Sequence, residues 1–398
     1  MASDLFVRGV FAVLCAGVAL VAAAAPFTPR QDSEIVERLP ARASDPEVRR
    51  VESLRRQLAA KPGDTPLRVE IARRYFEMAM AQGDPRYIGY ASATIAPLIP
   101  TAQDNAGYWL VRGQLEQYSH RFEPALASLE RAARADAQAV EPLAWRAAIF
   151  MVQARYAEAL AECARLTPLS LPLFSTGCTA YVQAATGQLP AAYERLASAA
   201  AAATSAPPEL LLWADTRLAE MATRLQRFDK AEAYFKRALA LGITDQFLLA
   251  AWSDFLLERG RAAEVVTLLA GWERSDVLLL RLALAGQALK DSRANGWAAQ
   301  LRDRFDAAAQ RGDRLHEQEA ARFELAIEGQ PVKALAFATR NYQVQKEPRD
   351  AEILMRAALA AKDAKAAQPA LGWLRATRYE DARFAALADQ LAAQGAAR

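Results

Sequence analysis

The residue types that most often carry chemistry are scarce in this chain or have the wrong spacing. There are only two histidines, His120 and His316, so a histidine-rich metal site or a histidine-dependent triad is not expected. The segment of residues 316–320 begins like the two-histidine zinc motif of helices, but alanine stands where its second histidine belongs. We therefore interpret this segment as a charged helix face and His120 as a solvated turn residue.

Sequence motifs of catalysis are also missing. The sequence contains no phosphate-binding glycine loop, no nucleophile elbow and no paired-cysteine zinc spacing. Acidic pairs such as Glu123 and Glu130 are typical of solvated helix surfaces. These observations predict a protein that is not an enzyme and holds no metal and no cofactor. The alternative is an enzyme that uses groove carboxylates, for example on cell-wall glycans.

Two of the three cysteines, Cys163 and Cys178, lie beyond the apolar amino-terminal run that contains Cys15. Both fall on packing faces of neighbouring predicted helices, and an exported chain meets oxidising conditions. We predict a disulfide between Cys163 and Cys178. The alternative is that they are two separate buried thiols that pack as small hydrophobic residues.

The amino terminus differs from the rest of the chain. Residues 9–25 form an unbroken apolar run that ends in four alanines before Pro26, which is typical of a secretory signal peptide. We predict a cleaved signal peptide over residues 1–24, a flexible linker over residues 25–45 and a periplasmic location. The alternative is that the run remains as a helix that anchors an envelope assembly factor in the inner membrane.

The elements that would position any site are helices. Residues 208–241 carry apolar and small residues at three-and-four spacing on two successive stripes, one before and one after a polar turn at residues 226–229. Equivalent small or apolar positions recur at intervals of 34, 33, 39 and 34 residues. These positions are Ala125, Ala159, Ala192, Ala231 and Val265. The period indicates a repeated helical hairpin and an all-α chain.

This pattern resembles the tetratricopeptide repeat, with Leu218 and Ala219 on the first helix and Ala231, Phe235 and Ala238 on the second. The segment of residues 71–98 resembles a group of exported bacterial proteins of this type, whose role is unassigned. The resemblance implies a right-handed superhelical solenoid of about nine helix pairs with a C-terminal capping helix, over residues 46–398 and clearest over 106–271. In such a solenoid each repeat is expected to contact only its neighbours.

The concave face of this solenoid is the predicted binding site. Helical spacing places a mixture of aromatic and polar side chains there, which suits an extended peptide or a partner's helix. The alternative for Trp213 and Tyr181 is that they only cover boundaries between repeats. The predicted groove residues are Arg73, Gln114, Gln117, Tyr118, Met151, Tyr181, Trp213, Glu220, Arg224 and Asp254.

Charge and composition limit the class of partner. A net charge of +3 over 398 residues is small and dispersed, so nucleic acid is not expected as a ligand. The Lys and Asn pairs that clamp a terminal carboxylate in chaperone-binding members of the resembled family are missing. We therefore expect a non-catalytic protein-binding scaffold whose partner is a protein or peptide, with a membrane involved only if the amino-terminal run is retained.

Overall fold

The computed structural model describes residue 31 and residues 45–396. Residues from Arg49 onward form one compact unit, the second of two along the chain. The predicted signal peptide and linker, residues 1–24 and 25–45, lie outside the described residues except for Gln31 and Asp45. The second unit contains the whole repeat array.

Helices account for all regular structure between residues 45 and 396, and the all-α prediction is confirmed. Short 3₁₀ segments occur at Ala96–Leu98 and Ala364–Ala367. The helices are α1 Pro46–Ala60, α2 Thr65–Gln82, α3 Arg86–Ile95, α4 Ala106–Tyr118, α5 Phe122–Ala135, α6 Val140–Val152, α7 Tyr156–Leu166, α8 Pro172–Ala184, α9 Leu189–Ala202, α10 Pro208–Arg224, α11 Phe228–Ala240, α12 Gln246–Glu258, α13 Ala262–Leu268, α14 Asp276–Leu289, α15 Ala294–Gln310, α16 Glu317–Ala326, α17 Pro331–Val344, α18 Pro348–Ala360, α19 Gln368–Thr377 and α20 Ala382–Ala396.

The helices from α2 to α19 form nine successive pairs, which we number repeats 1 to 9. The five positions that gave the period, Ala125, Ala159, Ala192, Ala231 and Val265, each have 0% exposure. They are small because the two helices of a repeat approach closely at this point. The final helix α20 buries Phe384, Leu387 and Leu391 on one face, as expected of a cap that turns its other face to water.

The turn inside a repeat has the same backbone form in repeats 2 to 6. One residue in the left-handed region ends each first helix: His120, Ala154, Gly187, Gln226 or Gly260. In all five of these turns, the amide of the next residue bonds to a carbonyl of the first helix, as Arg121 does to Glu116 at 2.9 Å. This left-handed cap satisfies carbonyls that the helix end would otherwise leave without a partner, and it starts the second helix at a fixed angle.

The predicted disulfide is present in the structure. Cys163 on α7 is bonded to Cys178 on α8, with the two Cα atoms 5.6 Å apart. Cys163 is fully buried, so the bond fixes repeat 3 to repeat 4 in the middle of their packing. Closing a loop of 15 residues stabilises such a structure by about 3 kcal/mol in the chain-entropy account.

The expectation that each repeat contacts only its neighbours is wrong. Repeats 3 to 6 also contact repeat 9, its flanking loops and α20, because the array winds far enough for its later part to pack against its earlier part. We call this set of contacts the inter-turn seam. Its pairs are Val152 with Lys346, Tyr156 with Trp373, Leu189 with Glu380, Arg224 with Tyr379, and Glu258 with Arg383.

A second contact of this kind lies at the start of the array. Gly83, in the turn of repeat 1, lies so close to α12 and the loop before α14 that a Cβ atom there would be 2.3 Å from Gln246 Oε1 and 2.7 Å from Ser275 Oγ. Gly83 also has a positive φ of 67°. Both facts favour glycine at this position, since a side chain would press against Ser275 and Gln246, which belong to repeats 6 and 7 and the loop between them.

Candidate functional site

All ten predicted groove residues lie on the first helices of repeats 1 to 6, and the structure divides most of them into three groups. One group forms polar clusters, a second belongs to boundaries or to the seam, and a third has buried polar atoms without partners among the described residues. Arg73, Tyr118 and Met151 belong to none of these groups. In chain order the helices are α2 for Arg73, α4 for Gln114, Gln117 and Tyr118, α6 for Met151, α8 for Tyr181, α10 for Trp213, Glu220 and Arg224, and α12 for Asp254.

Tyr181 and Glu220 belong to one cluster, and Arg217 joins them. The Arg217 guanidinium donates to the Tyr181 hydroxyl at 3.1 Å, lies 5.0 Å from the centre of that ring and pairs with Glu220 at 2.9 Å. Burial raises the pKa of Tyr181, so its hydroxyl remains protonated at neutral pH. The cluster thus presents a ring face and a charged pair side by side.

Asp254 is the centre of a second cluster. Its carboxylate pairs with Arg281 at 2.6 Å and with Arg322 at 2.8 Å. Burial opposes ionisation here, but the two guanidinium groups outweigh it and hold the pKa of Asp254 below its usual range. Since Arg322 lies on α16, this cluster joins repeat 6 to repeat 8 through repeat 7. A carboxylate held ionised by two cations is poorly suited to donate a proton.

Arg224 is engaged in the inter-turn seam. Its guanidinium lies 3.8 Å from the centre of the Tyr379 ring, and it donates to the carbonyls of Glu380 at 3.1 Å and Ala184 at 2.6 Å. Burial raises the pKa of Tyr379. The sequence predicted Arg224 as a groove residue, whereas in the structure it contacts a distant part of its own chain.

Trp213 covers the boundary between repeats 4 and 5. Its ring centre is 5.6 Å from that of Phe174, and its ring edge lies over Gly177 on α8. This arrangement matches the alternative that the sequence left open for Trp213. A direct role in partner binding stays a prediction.

Replacing Gly177 with alanine is expected to lower the free energy of unfolding by about 1–3 kcal/mol, because the added carbon overpacks the contact. That carbon would lie 2.5 Å from the Trp213 ring. Urea denaturation monitored by tryptophan fluorescence measures the effect. The matched control is Gly372→Ala, where nothing lies within 4 Å and the helix should gain roughly 0.5–1 kcal/mol. Equal stability of the two variants would contradict this close packing.

The remaining predicted groove residues differ in their burial and in their polar partners. Arg73 pairs with Glu141 at 2.8 Å, joining repeat 1 to repeat 3. Burial raises the pKa of Tyr118 to about 12, with Asp276 contributing in the same direction. Gln114 is 6% exposed, and its Oε1 has no hydrogen-bond partner among the described residues, as is also true of Gln117 Oε1. Met151 is half-buried near the end of α6.

The surroundings of His120 and of residues 316–320 differ from those predicted from the sequence. His120 lies in a turn, as predicted, but it is half-buried and its ring stacks on Phe122 with centres 5.6 Å apart, so the prediction that it is solvated is wrong. Burial lowers the pKa of His120, and Glu319 opposes this shift. The charged-face interpretation of residues 316–320 is also wrong, because Glu317, Gln318 and Glu319 are all buried.

The described residues contain neither a metal-binding cluster nor a membrane-spanning helix. Between residues 45 and 396, no group of three or more His, Cys, Asp or Glu side chains is arranged to hold a metal ion. No helix in that same stretch has the length and apolar character needed to cross a membrane.

Comparisons with known proteins find similarity to solved structures. No protein-family model matches the chain, and no curated protein does. Among solved structures, the Cut9–Hcn1 hetero-tetramer of the APC/C is 15% identical, with 78% of this chain and 52% of that chain covered at a TM-score of 0.40. Naa15/Naa10 bound to HypK-THB is 12% identical, with 82% of this chain and 65% of that chain covered at a TM-score of 0.27. The P58(IPK) TPR domain is 13% identical, with 82% of this chain and 97% of that chain covered at a TM-score of 0.24.

These likenesses are distant, and this chain spans only 52% and 65% of the first two structures. The assignment of the fold accordingly rests on the chain's own features. They are the period near 34 residues, the nine helix pairs of the described residues and the fully buried small residue at the same place in repeats 2 to 5. By these features the chain is an all-α solenoid of helix pairs, similar in its period and helix pairing to the tetratricopeptide repeat.

Proposed function

We propose that this protein is a non-catalytic scaffold that binds a protein partner, as a peptide or a helix, on the inner side of repeats 1 to 6. The observation that carries the proposal is a set of buried polar atoms without partners. Gln114 Oε1, Gln117 Oε1 and Arg217 Nε have no hydrogen bond among the described residues. Buried polar groups are normally bonded, and the amides and carbonyls of a bound peptide could complete all three once these side chains turn toward it.

The carboxylates of the inner face support binding over catalysis. Glu220 and Asp254 are each engaged by arginine, at 2.9 Å and 2.6 Å respectively. General acid–base chemistry needs a carboxyl whose pKa lies near the working pH, whereas that of Asp254 is lowered. The alternative of a glycan-cleaving enzyme is tested by assaying turnover on cell-wall glycans before and after Glu220→Ala and Asp254→Ala.

We place the protein in the periplasm, with residues 1–24 removed as a signal peptide. The Cys163–Cys178 disulfide supports an oxidising compartment. The alternative is an envelope assembly factor whose amino-terminal helix stays in the inner membrane. Sequencing the amino terminus of the mature protein separates these proposals, because cleavage after residue 24 leaves no anchor and an intact start retains it.

Affinity purification of the exported protein, with its partners identified by mass, tests the central proposal. Gln117→Leu should weaken capture about tenfold, since it removes one hydrogen bond worth roughly 1–1.5 kcal/mol and keeps the size of the side chain. The matched control is Gln343→Leu, at an exposed position on α17, which should capture the partner like the unaltered protein. Undiminished capture by Gln117→Leu would contradict binding on the inner face.

A further inference from the structure

The later side of the inter-turn seam has a hydrophobic core of its own. From repeat 8 to α20 the helices pack around one cluster of buried residues, which includes Leu354, Trp373 and Phe384. Among the described residues of repeats 3 to 6, only Ala154 and Tyr156 pack against this cluster with apolar side chains, and both are half-buried. The seam therefore contributes little of the apolar burial that keeps either side folded.

Polar contacts join the two sides of the seam. The Leu189 amide donates to a Glu380 carboxylate oxygen at 2.5 Å. Arg383 and Glu258 form an ion pair in which their side chains are 37% and 36% exposed. Polar interfaces inside one chain resemble transient protein–protein interfaces, and relative motion across them is expected unless they are large and hydrophobic.

The cores on the two sides of the seam meet in repeat 8. Phe323 on α16 belongs to the core cluster that extends from α8 to α16, whereas Ala321 on the same helix belongs to the cluster of the later side. The rotation from one repeat to the next sets the path of a solenoid. A small change of that rotation at repeat 8 would separate the seam while both cores stay packed.

Arg224 connects the seam to the candidate site. It follows Arg217 by seven residues on α10, and this spacing places both side chains on one face of the helix. Arg217 bonds to Tyr181, whereas Arg224 is engaged by the Tyr379 ring and the Glu380 carbonyl. The later side of the seam thus covers one end of the helix face that carries the Arg217 cluster.

We propose that the inter-turn seam is a latch, which opens as one unit while the repeats on both sides stay folded and thereby frees Arg224 for a partner. In the closed state Tyr379 and Glu380 occupy Arg224, so only the open fraction of the protein binds at full affinity. This inference rests on the proposed scaffold function and adds how access to its site is regulated.

Two backbone amides report directly on the latch. Leu189 is the first residue of α9, so its amide has no acceptor inside its own helix and depends on Glu380. The Lys346 amide, in the loop before α18, donates to the Val152 carbonyl at 2.7 Å. These bonds join the later side of the seam to two different repeats, 4 and 3, and both are lost when the latch opens.

Glu258→Ala in the full chain tests the latch, because it removes the ion pair with Arg383 at a third place in the seam. Loss of a half-exposed pair should raise the open fraction about threefold. Native-state amide exchange should then be about threefold faster at both Leu189 and Lys346, although neither amide bonds to Glu258. Exchange at Leu354, inside α18, should stay unchanged because the later side remains folded.

The matched control is Glu264→Ala in the same repeat, which loses a pair with Arg261 outside the seam and should leave the exchange of both reporting amides unaltered. Faster exchange at Leu189 alone would mean that the seam contacts open independently. An equal rise at Leu354 would mean that the seam opens only when the chain unfolds. Either result overturns the latch, as does unaltered exchange at both reporting amides in Glu258→Ala.

The affinity purification that tests the scaffold function also tests the link between the latch and binding. At limiting protein concentration, Glu258→Ala should capture about three times as much partner as the unaltered chain, since affinity follows the open fraction, and Glu264→Ala should capture the same amount. Equal capture by Glu258→Ala and the unaltered chain would overturn this link. If capture depends on Gln117 but the two reporting amides do not respond together, the scaffold function stands and only the latch fails.

Discussion

Asp254→Ala is expected to lower the free energy of unfolding by about 3 kcal/mol, because it leaves Arg281 and Arg322 without their shared counter-charge. The Arg281 side chain is only 6% exposed, so water cannot replace the lost carboxylate. Breaking a buried ion pair typically costs about 3–5 kcal/mol, and the lower end applies because the Asp254 side chain keeps 30% exposure. Urea denaturation monitored by circular dichroism measures the change.

The control for this prediction is Asp291→Ala. Asp291 pairs with Arg293 in a pair whose arginine is 58% exposed, and exposed pairs contribute about 0–1 kcal/mol. A loss at Asp254 no larger than at Asp291 would contradict the role of the Asp254 cluster in holding repeats 6 to 8 together.

Asp254→Ala should also change how the stability of the protein depends on acidic pH. Since the folded-state pKa of Asp254 lies below its ordinary value, which is about 3.9, its stabilisation is present above about pH 4 and is lost as the pH falls further. Between about pH 5 and pH 2, the unaltered protein should therefore lose more stability than Asp254→Ala.

Arg224→Ala should be the most damaging single change in the inter-turn seam, at about 2–4 kcal/mol. It removes the cation from the Tyr379 ring and two hydrogen bonds to the Glu380 and Ala184 carbonyls. A desolvated cation–π contact contributes roughly 2 kcal/mol, and a hydrogen bond from a charged donor contributes about 1.5–3 kcal/mol net. The predicted total is lower than the sum of these values, because Arg224 is only half-buried and water can replace part of the lost hydrogen bonding. Native-state amide exchange should show protection lost first near residues 377–384.

Arg134→Ala is the control for Arg224. Its side chain is 78% exposed, and it pairs with Glu130 one helical turn away. Such helix pairs contribute about 0.3–0.5 kcal/mol. If both variants left amide exchange near residues 377–384 unaltered, Arg224 would not hold the seam.

The features predicted correctly from the sequence are those set by local spacing. The period placed Ala125 and Ala231 at the closest approach of paired helices because small residues are required there, and both are fully buried. Cys163 and Cys178 could be paired because consecutive repeats present their faces to each other. Each of these predictions depends only on contacts within one repeat or between two neighbouring repeats.

The seam could not be predicted in this way. Whether Arg224 reaches Tyr379 depends on how small rotations between repeats accumulate over several units, and no residue pattern inside a repeat records that sum. His120 was misassigned for the same reason, since Glu319, which acts on its pKa, lies on the distant helix α16. The sequence contains one partial indication of the inter-turn seam. Tyr379 and Phe384 are two large aromatic residues close together in the last segment.

The seam also changes how damage should spread. In an array with neighbour contacts only, a defect in repeat 5 would stay local. Here the last residue of α10 is Arg224, which contacts Tyr379 and Glu380 just after α19. A disruptive change such as Ala231→Leu in repeat 5 should therefore also weaken protection in repeat 9.

A double-mutant cycle between Arg224 and Tyr379 tests the central structural claim, that early and late repeats pack against each other. The free energies of unfolding of Arg224→Ala, Tyr379→Leu and the double variant are compared with that of the unaltered protein. The 3.8 Å contact predicts a coupling free energy of about 1–2 kcal/mol. Additivity within about 0.3 kcal/mol would mean that the two residues do not touch in solution, and would contradict the seam.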